Sequence, residues 1–422
     1  MSAITQCRSC GSTHLLPLLD LGRQPLANAL VDLDRIDQPE DLFPLEVCFC
    51  TGCALVQVTE TVPPEVLFGR DYPYFSSFSP ALLAHSRAHA LDLVERRTLG
   101  PGTLVAEVAS NDGYLLRNFA AAGIPVLGID PASGPAAAAR AIGVPTVEDF
   151  FNRTLAERLA AEGYKADVIL AKNVLAHVDG INEFVAGFAA LLKDDGIAEF
   201  EFPYLRDLIE SCAFDTIYHE HVFYYALTAL EPLFGRHGLH LNDVVRLDIH
   251  GGSLRLTVSK NPGRTARLQT LMDEERQLGM HEEAYYASFA RRVAAVREKL
   301  LALVADLRGQ GRRIAAYGAA AKGATLLNYA GLTRAQLDFV VDRNTHKVGK
   351  AMPGAKLPIR PVEDLLTEKP DHLLILAWNF GREIMEQQRA YADQGGSFIL
   401  PIPEPHMARP GDNAAVGPVA AE

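Results

Sequence analysis

Tryptophan is nearly missing from this 422-residue chain, which has one, and cysteine is scarce, with six. Basic residues are also in deficit. Forty lysines and arginines against 52 aspartates and glutamates leave a formal net charge of −12. A nucleic-acid partner calls for a basic face, so this balance argues against one. No apolar run is long enough to span a bilayer, and the opening residues MSAITQCRSC lack the charged and apolar regions of a signal peptide. The expectation is a cytoplasmic protein that binds neither nucleic acid nor membrane. Hydrophobic residues at 48% and charged ones at 22% fit a globular chain, and the length calls for two or three domains.

Five of the six cysteines fall in the first 53 residues. Cys7 and Cys10 form one C-x-x-C, Cys50 and Cys53 a second, and Cys48 lies just before it. In a reducing compartment, two such pairs are the usual source of four thiolates for a tetrahedral zinc. A closed four-sulfur site leaves no open position, so its role is structural. The distance between the pairs exceeds that of a small finger, so a larger module is held. Cys48 competes with Cys50, but Cys50 has the better spacing to Cys53. Cys212 stands alone and reads as core.

Two fingerprints are absent. The turn in EVASNDGYLL has one glycine, Gly113, where G-x-G-x-x-G needs three, and Ala324-Thr325 after Gly323 rules out a Walker A loop. What is present is strand–turn–helix, repeated. TLVAEV is a buried strand ending near Glu107, the turn carries Ser110, Asn111, Asp112 and Gly113, and IPVLGID ends a second strand at Asp130. ADVILAKNVLAHV is a further strand opening onto Lys172, Asn173 and His177. Such alternation implies a parallel sheet with ligands at the carboxyl ends of its strands. The E-x-x-S-N-D-G loop is the kind found in S-adenosylmethionine-dependent methyltransferases. RRIAAYGAAAKGATLLN, followed by DFVVDRN ending near Asp342, repeats the theme. There Lys322 at a helix start is placed to hold a phosphate. The fold class is α/β throughout: a zinc-binding module (1–68), a Rossmann-like methyltransferase domain (69–265), a second Rossmann-like, substrate-binding domain (266–409) and a disordered tail (410–422).

The densest stretch is FDTIYHEHVFYYA, Phe214–Ala226. Two histidines, a glutamate and three tyrosines in so few residues fit a metal site, a packed aromatic segment, or a place where a carbon-bound proton is removed. If the stretch is helical, Tyr218 and His221 share a face and His219 points elsewhere. H-x-H lacks an obvious third metal ligand, and Phe223, Tyr224 and Tyr225 read as core.

Taken together, the paired C-x-x-C, RDYPYFSSFSPALLAH, EVASNDGYLL, KNVLAHV, FDTIYHEHVFYYAL, HGGSLRLTV and YGAAAKGATLLN resemble the sugar C-methyltransferases of antibiotic deoxysugar pathways. The nearest image is the 3-C-methyltransferases of dTDP-4-keto-deoxyhexoses. The resemblance runs to about Met407. It departs at Ala109, where the family commonly has glycine. It implies S-adenosylmethionine bound by Glu107, Ser110, Asn111, Asp112, Gly113, Asp130, Lys172 and Asn173, with structural Zn2+ on Cys7, Cys10, Cys50 and Cys53. It implies His221 as the base, assisted by Tyr218 and Glu220, with His177, Asn173 and Tyr72 completing the pocket. Ser253, Arg255, Lys322 and Asn379 are the residues expected to hold the dTDP-linked ketosugar, and the enzyme is expected as a monomer or weak homodimer. His14, His85, His89 and His240 read as bland. The rival readings are a C-5 sugar methyltransferase, an O- or N-methyltransferase of another small molecule, a nicotinamide-dependent dehydrogenase and a zinc-ribbon regulator.

Overall fold

A computed structural model describes residues 3–67, 75–78, 80–248 and 251–412. Tyr72 and the tail from 413 onward lie outside the described residues.

The chain opens with strands Leu15–Gln24 (β1), Val31–Asp32 (β2), Phe43–Cys50 (β3) and Val56–Val58 (β4). β1, β3 and β4 form an antiparallel meander. β3 reads FPLEVCFC, and its last four residues are all buried, which suits a strand covered on both faces.

The middle of the chain contributes Val105–Val108 (β5), Val126–Ile129 (β6), Thr146–Val147 (β7), Ala166–Lys172 (β8) and Leu192–Pro203 (β9), all parallel. Phe223–Tyr224 (β10) then leaves this sheet and pairs with β4, so the N-terminal meander gains its fourth strand from the middle of the chain. His240–Leu247 (β11) and Ser253–Ser259 (β12) return to the central sheet, with β12 antiparallel to both neighbours. The order is β7-β6-β5-β8-β9-β12-β11, or 3-2-1-4-5-7-6 by the central sheet's own count.

After helices Ala266–Gln277 and Phe289–Gly309 comes a third sheet. Its strands are Ile314–Tyr317 (β13), Val340–Val341 (β14), Ile359–Arg360 (β16), His372–Ile375 (β17), Ser397–Leu400 (β18) and His406–Ala408 (β19). Lys350–Ala351 (β15) instead pairs with β2, tying the first module to the last. One apolar core runs through all three sheets. No helix among the described residues is long and apolar enough to cross a membrane.

The turn after β5 carries three left-handed residues: Ala109 (φ +57°), Asn111 (+49°) and Gly113 (+75°). Asparagine and glycine tolerate this region, but alanine is strained there. Ala109→Gly is therefore expected to stabilise the protein by about 1 kcal/mol net of the added unfolded-state entropy. A urea denaturation series checks this, and equal or lower stability in the variant would show that the turn carries no strain.

Candidate active site and zinc centre

The N-terminal cysteines converge. Cys7 and Cys53 sulfurs are 3.7 Å apart, Cys10 and Cys50 3.6 Å, and all four lie within 4.8 Å of one another. Zinc–sulfur bonds of about 2.3 Å in a tetrahedron place sulfurs about 3.8 Å apart, so the four thiols fit Zn2+. Cys48, whose thiol burial pushes up to about 12, is not among the four sulfurs that converge. Gln57, fully buried, donates its side-chain amide to Cys7 Sγ at 3.1 Å and pairs through its backbone with Phe223.

That pairing locates the dense stretch. It is a turn, not the helix on which the shared face of Tyr218 and His221 was predicated. The His221 amide donates to the Tyr218 carbonyl at 2.9 Å, closing a tight turn over Tyr218–His221. The two side chains still meet, because a turn also brings residues three apart together. His221 Nδ1 lies 2.8 Å from the Thr216 carbonyl, and Nε2 lies 2.8 Å from the Tyr218 hydroxyl. A carbonyl only accepts, so Nδ1 carries the proton and Nε2 presents a lone pair, to which Tyr218 donates. His177 stands against His221, ring centroids 4.9 Å apart, and its apolar surroundings push it down to about 4, leaving it neutral. His219 donates to the Phe43 and Pro44 carbonyls (3.3 and 3.2 Å), a structural contact with the zinc module.

Glu220 is buried, and burial pushes its carboxyl up to about 7, against the pull of a 2.6 Å hydrogen bond from Asn28. Asn28 comes from the zinc module, 192 residues away, and no local pattern singled it out. Asp215, at the root of the turn, is buried and accepts from Trp378 Nε1 at 2.7 Å. Lys322 lies with its ammonium 4.3 Å from the centre of the Trp378 ring, 3.4 Å from Asn379 Oδ1 and 3.9 Å from Asp215. Thus Lys322 and Asn379 sit together, and they sit against the root of the turn. Asn379 also abuts Gly251, where an added Cβ would lie 3.8 Å away.

Ser253 and Arg255 start β12, and Ser253 is buried. Arg255 is not free for a diphosphate: its Nε donates to Glu201 at 2.6 Å. Glu201 also takes Lys172 Nζ at 2.7 Å and His85 at 3.1 Å. Burial alone would raise Glu201, but these partners hold its carboxyl far below the usual range. Beside it, His89 donates to Glu199 at 2.6 Å and Arg96 at 3.1 Å, and these contacts hold Glu199 at about 2 against the raising effect of burial. His85 and His89, read as bland, are thus the helix Pro80–Arg96's contribution to a buried charge cluster under the sheet. Their four-residue spacing was the available signal.

At the carboxyl end of β5 the chemistry changes. Four buried side-chain oxygens around one turn have no hydrogen-bond partner among the described residues: Glu107 Oε1 and Oε2, Ser110 Oγ and Asp112 Oδ1. Burial raises the Glu107 carboxyl well above its ordinary range. Asp130 accepts from the Asn111 and Ala132 amides at 2.8 and 2.9 Å, and Asn111 and Asp112 accept from the Ser76 and Ser77 amides. Unsatisfied acceptors at the carboxyl end of a parallel sheet fit a ligand that brings a cation and hydroxyl donors. S-adenosylmethionine is such a ligand, and Glu107, Ser110, Asn111, Asp112, Gly113 and Asp130 are the residues that would hold it.

Comparison with known proteins agrees. Family models match residues 7–68 (zinc binding domain), 83–244 (methyltransferase domain) and 248–403 (C-methyltransferase C-terminal domain). The C-methyltransferase NovU of Streptomyces niveus is 37% identical over 408 residues, 96% of this chain and 97% of that one. A ubiquinone biosynthesis O-methyltransferase of Bartonella quintana is 31% identical over 94 residues, 22% of this chain and 38% of that one. Among solved structures, the magnesium protoporphyrin IX methyltransferase of Synechocystis aligns at 16% identity over 42% of this chain and 79% of its own, TM-score 0.33. An S-adenosylmethionine-dependent methyltransferase of Clostridium acetobutylicum aligns at 11% identity over 43% and 92%, TM-score 0.34. The central sheet, its acidic turn, the three family models and the NovU match define an S-adenosylmethionine-dependent methyltransferase carrying a zinc module. More particularly, the chain belongs to the C-methyltransferase family, with its own C-terminal domain in addition to the shared catalytic one.

Two outcomes follow from this geometry. Because Gln57 joins Cys7 to the strand after the His221 turn, stripping zinc with a chelator is expected to abolish methyl transfer while S-adenosylmethionine affinity stays within about threefold. Calorimetry and activity on one sample decide it, and activity surviving full zinc loss would uncouple the module from the turn. The second concerns Glu220, whose folded-state carboxyl lies above its ordinary range near 4.5. Its contribution to stability is then fully present below about pH 4.5 and is lost as pH rises through about 7. Wild type should therefore lose on the order of 3 kcal/mol more than Glu220→Gln between pH 5 and pH 8 in urea denaturation. Parallel profiles would mean that Glu220 is not desolvated.

Proposed function

We propose that this enzyme methylates a carbon next to the ketone of a dTDP-linked 4-keto-deoxysugar, C-3 before C-5, in the biosynthesis of an antibiotic deoxysugar. The setting that goes with this reading is the cytoplasm, with the enzyme a monomer or weak homodimer. The observation that carries it is the tautomer of His221: with its proton on Nδ1 against the Thr216 carbonyl, its Nε2 lone pair is held ready to take a proton. A ketone acidifies the neighbouring C–H, since the resulting anion delocalises onto the ketone oxygen. That oxygen needs proton donors beside it. Turned from Nε2 onto that oxygen, the Tyr218 hydroxyl frees the lone pair and supplies one donor, and Glu220, pushed up to about 7, is protonated in part at neutral pH and supplies another. His177, held neutral, walls the pocket without adding a charge that would depress the base. Asn173, left-handed at φ +52° at the end of β8, turns the chain into that wall. S-adenosylmethionine, when bound, supplies an electrophilic methyl group.

Lys322 and Asn379 bear the diphosphate handle in this reading, and Ser253 lines the passage to it. Arg255 and Lys172 act from beneath, through Glu201. An O- or N-methyltransferase keeps the cofactor turn but has no need of a base beside a carbon, which is what favours carbon methylation.

Mass spectrometry in deuterated water with a panel of dTDP-4-keto-6-deoxyhexoses tests this. Wild type is expected to incorporate deuterium next to the ketone and to add one methyl. His221→Asn should lower both rates by about 10²–10⁴-fold while the fold persists. Neither exchange nor transfer across the panel, with cofactor bound, would sink the ketosugar reading. Exchange unaffected in His221→Asn would move the base elsewhere.

A further inference from the structure

The two carboxyl oxygens of Glu220 are treated differently. Oε1 accepts from the Asn28 amide at 2.6 Å, whereas Oε2 has no hydrogen-bond partner among the described residues. Glu220 is buried and Asn28 is exposed, so the acid is covered while the side chain that reaches it stays open to solvent.

Asn28 is held from both sides. It follows β1 in a tight turn, in which the Ala29 amide donates to the Leu26 carbonyl at 3.1 Å and the Leu30 amide to the Asn28 carbonyl at 2.9 Å. Directly afterwards β2 pairs with β15 of the C-terminal domain. The attachment continues with Lys350 on Asp32 (3.1 Å), Arg334 on Asp37 (2.7 Å) and the Gly354 amide on Glu40 (3.0 Å). The chain then returns to the His221 turn at the start of β3, where the Phe43 and Pro44 carbonyls take His219. Adjacent residues of that turn are thus gripped by the two ends of one connector, Glu220 by its start and His219 by its end. Only the first grip falls on a carboxyl.

An amide N–H donates, and the carbonyl oxygen of a neutral carboxyl accepts better than its hydroxyl oxygen. Opposite Asn28, therefore, Oε1 is the carbonyl and the proton of neutral Glu220 lies on Oε2. Thr216 acts on His221 in the same way, as a fixed neighbour that decides which of two atoms carries the proton. Without Asn28 the carboxyl is free to hold its proton on either oxygen and to present a lone pair where a donor is needed.

We propose that Asn28 is a positioning residue for methyl transfer: it fixes Oε1 as an acceptor, so that Oε2 presents its proton to the ketone oxygen as charge develops there. The inference rests on the reading above in which Glu220 is a donor to that oxygen. Such a hydrogen bond strengthens as the oxygen becomes an anion, so a misdirected donor costs rate rather than binding. The zinc module then takes part in the reaction beyond holding the turn in place.

The zinc-loaded full-length enzyme carries the test. Infrared difference spectra at about pH 6, each protein minus its Glu220→Gln counterpart, isolate the stretch of the protonated Glu220 carboxyl. In Asn28→Ala this stretch is expected to move to higher frequency, because its carbonyl loses a donor. An unmoved stretch would overturn the proposal whatever the substrate proves to be. In turnover, Asn28→Ala is expected to lower kcat roughly 10–100-fold with KM within about threefold. Asn28 draws the Glu220 carboxyl down, so this variant leaves more of it protonated, and the fall in rate cannot be laid to a lost proton. Asn28→Asp, which only accepts when ionised, should do at least as much damage by taking the Glu220 proton for itself. In a Glu220→Ala background, Asn28→Ala is expected to cost less than about twofold more. An equal loss in both backgrounds, or a loss wholly in KM, would make Asn28 a strut of the module and sink its part in the reaction. A wild type that neither exchanges nor methylates the ketosugar panel would sink the ketosugar reading instead, and the infrared shift still decides which oxygen Asn28 holds.

Discussion

The site depends on one short pairing, β4 against β10. Phe223 and Tyr224 follow directly on the turn that carries Tyr218, Glu220 and His221, and they are the fourth strand of a sheet whose other three strands belong to the zinc module. Two residues of ladder are weak alone. They hold because Gln57 lies buried between the Cys7 sulfur and the Phe223 backbone, and because Val222 is gripped on both sides. Its amide donates to Ala176 of the central domain, and its carbonyl accepts from Val58 of the zinc module. Asn28 and the Phe43–Pro44 carbonyls hold the turn from one side, and Trp378 and Lys322 hold its root from the other. A proton-transfer site needs its groups held to within a fraction of an ångström. Here three domains supply that constraint to a segment with no regular structure of its own.

Beneath the central sheet, Glu199 and Glu201 draw His85, His89, Arg96, Lys172 and Arg255 into one buried cluster. Paired charges of this kind add little net stability, but removing one partner strands another in a medium that cannot solvate it. Their effect here is geometric. They lock the helix Pro80–Arg96 over β9 and β12, and Lys172 ends the strand from which Asn173 and His177 continue.

Much of this was legible in the sequence, for reasons that can be named. Zinc ligation is a matter of spacing and turn type, and Cys7, Cys10, Cys50 and Cys53 do converge. Buried parallel strands are nearly continuous apolar runs, so the α/β class followed from VAEV and VILA. The acidic turn was visible in its residues. What was not visible depends on contacts between distant positions. Asn28 on Glu220, Trp378 on Asp215 and Gln57 on Cys7 have no local signature, since nothing nearby in the chain requires those side chains. Periodicity also misled: Tyr218 and His221 meet in a tight turn, because a spacing of three serves a turn as well as a helix. Arg255 looked like an anion binder by residue type, yet Glu201, two strand positions from Pro203, had already taken its guanidinium.

The small β2–β15 pairing bears on how the molecule is made. The zinc module is synthesised before the two domains that follow it, but its own sheet lacks its fourth strand until Tyr224 has been made, and β2 gains β15 only when Ala351 has. Contacts between such remote positions form slowly, because a long loop must close before they repay its entropy. The zinc module is thus among the last parts to be completed, because its sheet and β2 both wait for partners synthesised long after them.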